Sequence, residues 1–268
     1  MTTARDWDAA TYDRVSNPQV EMAEAVLERL PLRGDETVLD AGCGSGRVTA
    51  LLLDRLPDGH VVAVDSAPSM VEHARAALGN AIGGPPAEPA ASARRRATVF
   101  CANLTDLTLP EPVDAAFSNA VFHWIADHDR LFERLFAALR PGGRLVAQCG
   151  GKGNIDAFRR LADEVAGEPP FAEHMEGFRG PWNYASAEDT EARLRAAGFE
   201  EVRCWLQPWP VTPDHPLEYA RTVCLGNHLE ALPEELRRPY AEEVVRRSGE
   251  SLVLEYVRLN IDARRPRA

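Results

Sequence analysis

The sequence predicts an α/β fold built on a doubly wound, mostly parallel sheet. Three observations point there. Through the first 150 residues, short apolar runs alternate with stretches whose apolar residues recur at helical spacing. The run Val38-Leu39-Asp40-Ala41-Gly42-Cys43-Gly44-Ser45-Gly46 breaks an apolar strand into a glycine-rich turn. A second apolar run, His60 to Val64, ends on Asp65, 19 residues beyond Gly46. Strand, glycine turn, helix and acid-ended strand together build a nucleotide pocket at the carboxyl ends of the first two strands.

Each element follows in order. Val20, Ala23, Val26, Leu27 and Leu30 place an amphipathic helix over 18–30, inside an N-terminal cap of about residues 1–33. Strand one covers 36–41. The next helix carries Val48, Leu51, Leu52 and Leu56 on one face and stops at Pro57-Asp58-Gly59. Strand two covers 60–65, and Ser66 is placed to cap a helix running to Leu78. Residues 79–96, rich in Gly, Pro, Ala and Arg, read as a flexible surface loop. Strands three and four fall at 97–102 and 113–118. A helix with Leu131, Phe132, Leu135, Phe136 and Leu139 ends at Arg140-Pro141-Gly142-Gly143, and strand five is 144–148. A helix over 155–166, an aromatic loop (Phe171, Phe178, Trp182, Tyr184), a helix over 187–197 and a strand over 199–206 come next. Pro208, Pro210, Pro213 and Pro216 introduce a helical lid of about 208–249, inserted before a last strand at 251–262. That makes seven strands in one domain, 1–268.

Composition narrows the function. A chain of 268 residues with 45% hydrophobic and 26% charged residues is ordinary for a soluble domain. No apolar stretch reaches the roughly 18 residues that span a bilayer. Met1 to Trp7 lacks the apolar core of a signal peptide, so a cytoplasmic location is expected. A net charge of −11 opposes nucleic-acid binding, and Arg94-Arg95-Arg96 reads as a solvated loop. The five cysteines form no CxxC pair, which points to neither a metal site nor disulfides.

The glycine turn discriminates between nucleotides. The dinucleotide fingerprint G-x-G-x-x-G/A wants a small third residue, where this chain has Arg47. Asp40, just before the turn, can hold a cationic amine and would repel a pyrophosphate. Both favour S-adenosylmethionine over NAD.

With these residues in place, the sequence resembles the class I S-adenosylmethionine-dependent methyltransferases over most of its length. Val38 to Gly46 looks like the family's first motif, and Asp65 matches the acidic end of strand two. Cys101-Ala102-Asn103-Leu104, Phe117-Ser118-Asn119-Ala120 and Leu139-Arg140-Pro141-Gly142-Gly143 match later motifs in order. Trp7 to Asp13 and the Asn119 to Asp129 segment look more like the trans-aconitate methyltransferase group.

The resemblance implies a Rossmann-like methyltransferase fold and a set of roles. Asp40 with Gly42, Cys43 and Gly44 would hold the methionine part, and Asp65 the ribose. Ser66 and Met70 would flank the adenine, and Asn103 and Leu104 would meet its edge. Asn103 departs from the aspartate common there, although an amide oxygen can still accept. Asn119 would complete the cofactor site, and Tyr12 would close over it. On the acceptor side, Trp124, Trp182 and Tyr184 can wall a pocket. Arg221 can receive a carboxylate, or equally pair with a surface acid. His123 can act as a base near neutral pH, or pack beside Trp124.

A small-molecule acceptor is expected, with neither nucleic acid nor membrane as partner and no metal. A carboxylate acceptor is ionised at neutral pH and needs no base. An amine, phenol or carbon acceptor would call on His123. A non-catalytic S-adenosylmethionine-binding protein and an NAD-dependent oxidoreductase are the other classes.

Overall fold

The computed structural model describes residues 17–79, 82–83, 96–249 and 251–267. Tyr12 and most of the 79–96 loop lie outside the described residues. Seven strands carry the sheet: β1 (Thr37–Ala41), β2 (His60–Asp65), β3 (Ala97–Cys101), β4 (Val113–Asn119), β5 (Leu139–Gly150), β6 (Glu200–Val211) and β7 (Leu254–Arg264). They lie in the order β3-β2-β1-β4-β5-β7-β6, and a two-residue strand, Ile82–Gly83, adds to the edge beside β3. The pairs β1–β2, β1–β4, β2–β3 and β4–β5 are parallel, whereas β7 runs antiparallel to both β5 and β6. The order reverses between β1 and β4. A crevice opens there at the strands' carboxyl ends, where open α/β sheets bind ligands.

Helices α1 (Asn17–Leu27), α2 (Arg47–Arg55) and α3 (Pro68–Leu78) cover one face of the sheet. Their Ala23, Val26, Leu52, Leu53, Val71 and Ala74 pack on Val38, Ala63, Val99 and Phe117. On the opposite face, α4 (His128–Ala138) and α7 (Ala187–Ala196) bury Leu131, Phe132, Leu135 and Leu194 against Leu39, Leu145 and Ile261. Between those two helices come α5 (Asp156–Ala166) and the short α6 (Ala172–Met175).

The region between the last two strands differs from its sequence reading. β6 continues to Val211, so Pro208 and Pro210 are strand residues, facing Val257 and Glu255 of β7. A proline removes a ladder donor, and an edge strand such as β6 tolerates the loss on its open side. The helical part is Pro216–Arg247, broken into α8 (Pro216–Tyr219), a π-helical turn (Ala220–Cys224), α9 (Gly226–Ala231) and α10 (Glu234–Arg247). It shares a separate core with α5, in which Phe158, Ala162, Tyr219, Tyr240 and Val244 are buried. No described helix is long and apolar enough to cross a membrane.

Ser66 does not cap α3. It is exposed, and Ala67 is the capping residue, its N–H held by Asp65 Oδ1 at 2.9 Å.

Candidate functional site

The crevice is lined by Gln19 and Val20 of α1, Asp40, Gly42, Cys43, Gly44, Ser45, Arg47 and Val48 around the glycine turn, and Phe117, Asn119 and Ala120 at the end of β4. The turn depends on Gly42. Its φ of +91° is hard for other residues, and a Cβ there would collide with the Val121 side chain. A Cβ at Gly44 would meet nothing within 4 Å, so the backbone there is open to a ligand. Asp65 braces the turn across the crevice, its Oδ2 accepting from Gly44 N–H at 2.9 Å.

The crevice is rich in acceptors. Asp40 is buried and accepts from Thr49 Oγ1 at 2.7 Å. Burial pushes its carboxyl up to about 7, against that hydrogen bond, and Asp65 adds to the rise. Asn119 donates through Nδ2 to Gln19 O at 2.9 Å. Its Oδ1, like Gln19 Oε1, is buried with no partner among the described residues. Orphaned buried acceptors call for a donor that is not part of the protein. The Asp40 carboxyl, two bare amide oxygens and Asp65 behind the turn suit a cation and oppose a pyrophosphate. The residues present therefore fit S-adenosylmethionine, with its ammonium and sulfonium charges.

A second group lies on the same face of the sheet. Asn119, Gln148 and Asn260 are register neighbours across β4, β5 and β7, so Asn260 stands two strand spacings, about 10 Å, from Asn119. Two residues further along, on the same face, Arg258 faces Gly150. Arg258 is only 2% exposed. Its Nε donates to Gln148 Oε1 at 3.2 Å, and its Nη2 has no partner among the described residues. Burial lowers its pKa, while Cys149, Tyr256, Tyr219 and Tyr184 sit near enough to feel the charge. A chain of polar contacts joins this group to the crevice. Gln19 Nε2 donates to Tyr219 Oη at 2.7 Å, and Tyr219 Oη lies 3.0 Å from Tyr256 Oη.

An aromatic wall stands beside it. The turn after β4 sets His123 stacked on Tyr184 (centroids 5.7 Å apart), with Trp124 at 5.0 Å from His123. Trp182 lies 6.3 Å from Trp124 and 6.4 Å from Tyr184. The structure thus brings His123 and Trp124 together with Trp182 and Tyr184, about 60 positions later in the chain.

Residues 38–143 match a family described as a methyltransferase domain. A trans-aconitate 2-methyltransferase of Methylobacterium nodulans is 31% identical, covering 98% of this chain and 99% of the relative. The chain belongs to the trans-aconitate 2-methyltransferase family. A second member, from Variovorax paradoxus, is 30% identical over 90% of this chain and 88% of its own. Among solved structures, the YcgJ protein of Bacillus subtilis aligns with a TM-score of 0.61 at 14% identity, over 93% of this chain and all of that one. A phosphoethanolamine N-methyltransferase of Haemonchus contortus, in complex with S-adenosyl-L-methionine, aligns at 0.59 and 16% identity, over 97% of this chain and 57% of that one. These show the fold. This methyltransferase is an S-adenosylmethionine-dependent enzyme by family.

Several expected roles need correction. His123 is a poor base in this methyltransferase. Its Nδ1 accepts from Gly150 N–H at 3.2 Å, so the proton sits on Nε2. Burial, then the Arg258 and His128 charges, hold its pKa well below 6.5. Arg221 is exposed on the π-helical turn, and the buried guanidinium is Arg258 instead.

Asn103 Oδ1 accepts from both Thr105 N (3.0 Å) and Thr105 Oγ1 (2.9 Å), capping a short turn that starts at Leu104. Both lone pairs are taken, so the amide oxygen is not left for adenine. Met70 is buried in the first turn of α3, and neither it nor Ser66 lines the crevice. Cys43 lines it as a neutral thiol, its pKa pushed far up by burial, Asp40 and Asp65.

The sequence reading missed Arg258, Gln148, Gln19, Tyr219 and Tyr256. A signal existed for the last strand. Continuing the period-two alternation from Leu254 and Tyr256 puts Arg258 and Asn260 on the same buried face, where charged and amide side chains are rare.

Proposed function

We propose that this enzyme transfers the methyl group of S-adenosylmethionine to a carboxylate oxygen of a small polycarboxylic acid. Trans-aconitate, named in its relatives, is the first acceptor to test. The observation that carries the reading is Arg258, a buried guanidinium whose Nη2 has no partner among the described residues, on the sheet face that also carries Asn119 and Gln148. A carboxylate is the group that answers such a charge, by short charge-assisted hydrogen bonds.

S-adenosylmethionine, when bound, supplies an electrophilic methyl on a sulfonium. The chain's residues bind and orient. Asp40, Asn119 Oδ1 and Gln19 Oε1 would receive the ammonium end, the turn from Gly42 to Gly44 the main chain, and Asp65 the ribose hydroxyls. Arg258 would fix one carboxylate of the acid while His123, Trp124, Trp182 and Tyr184 present flat walls to its carbon skeleton. The acceptor oxygen forms the new O–C bond as the C–S bond breaks, and the electron pair of that bond stays on sulfur. No proton moves, so no base is required. This agrees with a His123 held neutral and already hydrogen-bonded. Alignment of the two reactants is the main contribution left to the protein.

The test is incubation with methyl-labelled S-adenosylmethionine and trans-aconitate. Label in a base-labile ester is expected; label only in base-stable products would overturn the reading. Arg258→Met should raise the acid's KM by about 100-fold while S-adenosylmethionine affinity holds, since a desolvated charge pair is lost. An unchanged KM would remove Arg258 from the acceptor site.

A further inference from the structure

Arg258 is a buried cation that, among the described residues, has a neutral amide as its hydrogen-bonding side chain and no carboxylate. The amide is Gln148, and its orientation is locked. Gln148 Nε2 donates to Asn260 Oδ1 at 2.9 Å, and the same oxygen accepts from Arg29 Nη1 at 2.7 Å. Arg29 is anchored in turn by Ala147 O at 2.9 Å and by Asp262 at 3.5 Å. Asn260 Nδ2 donates to Gln207 Oε1 at 3.2 Å. Flipping Gln148 would set its NH2 group against the guanidinium and its oxygen against Asn260 Oδ1. Each contact would then be like against like.

The two ends of this chain differ in charge. Arg29 has Asp262 beside it, whereas among the described residues Arg258 has the Gln148 oxygen and the Tyr256 ring face but no carboxylate. We propose that Gln148 is a positioning and specificity-determining residue. It orients the Arg258 guanidinium through Nε, yet leaves the charge and the Nη2 edge for an anionic acceptor, while Asn260 and Arg29 hold the amide in that orientation. The inference rests on Arg258 as the acceptor's receptor. A glutamate is the same size as glutamine and would pair with the guanidinium inside the protein. It would then compete with every incoming carboxylate.

The experiment compares Gln148→Glu, Gln148→Met and Arg258→Met in the full chain, with trans-aconitate as acceptor. It measures KM, kcat, S-adenosylmethionine affinity by calorimetry, and Tm. Gln148→Glu should raise the acid's KM by about 100-fold or more, because the guanidinium gains a carboxylate inside the protein, whatever the lost hydrogen bond to Asn260 does to Tm. Gln148→Met should raise KM by about tenfold with kcat largely kept, as the guanidinium loses its guide. S-adenosylmethionine affinity should stay within about twofold in both.

A merely structural glutamine predicts that Tm falls in both variants with the acid's KM unmoved. That result overturns the proposal. Should Gln148→Glu fail to fold, an unchanged KM in Gln148→Met overturns it equally. If Arg258→Met also leaves KM unchanged, the failure belongs to the receptor reading. If Arg258→Met raises KM and the Gln148 variants do not, the failure belongs to this inference alone.

Discussion

Asp40 shows how one residue can report on ligand binding. Its carboxyl, pushed up to about 7 by burial, is partly protonated near neutral pH. A cation entering the crevice favours the ionised form, so binding should expel a proton. S-adenosylmethionine affinity is therefore expected to rise with pH up to about 7, by at most about tenfold per unit. Calorimetry in buffers of different ionisation enthalpy would reveal the released proton; affinity that falls with rising pH would contradict the assignment. His123 makes the opposite point. With Nδ1 occupied and its pKa held low, it cannot take a proton from an acceptor. His123→Gln should keep turnover within about tenfold of wild type, and kcat should stay flat from about pH 6 to 8. A drop of about 100-fold or more would restore a base role.

At the scale of elements, the helical region before β7 carries its own pH signature. His228 of α9 is buried among Phe178, Trp182 and Tyr240, with centroids 4.7, 5.6 and 5.8 Å away. Its Nε2 is 3.8 Å from Asp163 Oδ1, beyond hydrogen-bond distance. Burial lowers its pKa from 6.5 to about 4, although Asp163 pulls the other way. Above pH 6.5 the ring is neutral in folded and unfolded chains alike. Below it, the unfolded chain takes up a proton that the folded ring refuses until about pH 4. Stability contributed here is thus lost as pH falls through that window, by about 2 kcal/mol at pH 5. His228→Phe should flatten the decline of Tm between about pH 7 and 5. Thermal melts across that range check it, and an unchanged slope would mean that other groups set the acid limit.

For the whole molecule, the consequence is a tension between stability and recognition. The crevice and the proposed acceptor group around Arg258 are joined by Gln19, Tyr219 and Tyr256, whose ring lies under the guanidinium. Keeping Arg258 charged there without a carboxylate costs folding free energy, because among the described residues one amide oxygen and one ring face stand in for the lost water. Arg258→Met should therefore melt higher than wild type, by an amount worth about 1–4 kcal/mol, while losing the acid. A lower Tm would show that the arginine is satisfied in the apo protein.

The sequence by itself determined the alternation of strand and helix, the glycine turn and the two acids beside it. These are local signals, set by periodicity and by the backbone freedom of Gly42, and they place the donor site. It also singled out the four ring side chains that the structure clusters after β4. Only the tertiary structure decided which arginine is buried. Arg221 and Arg258 look alike in a linear reading. Sheet order makes one an exposed lid residue and buries the other on a strand with neighbours on both sides. The extent of β6 depended on topology as well, because its prolines are tolerated only at a sheet edge. Burial and register come from residues distant in the chain, Gly150 for Arg258 and Leu254 for Val211, and no local pattern encodes them.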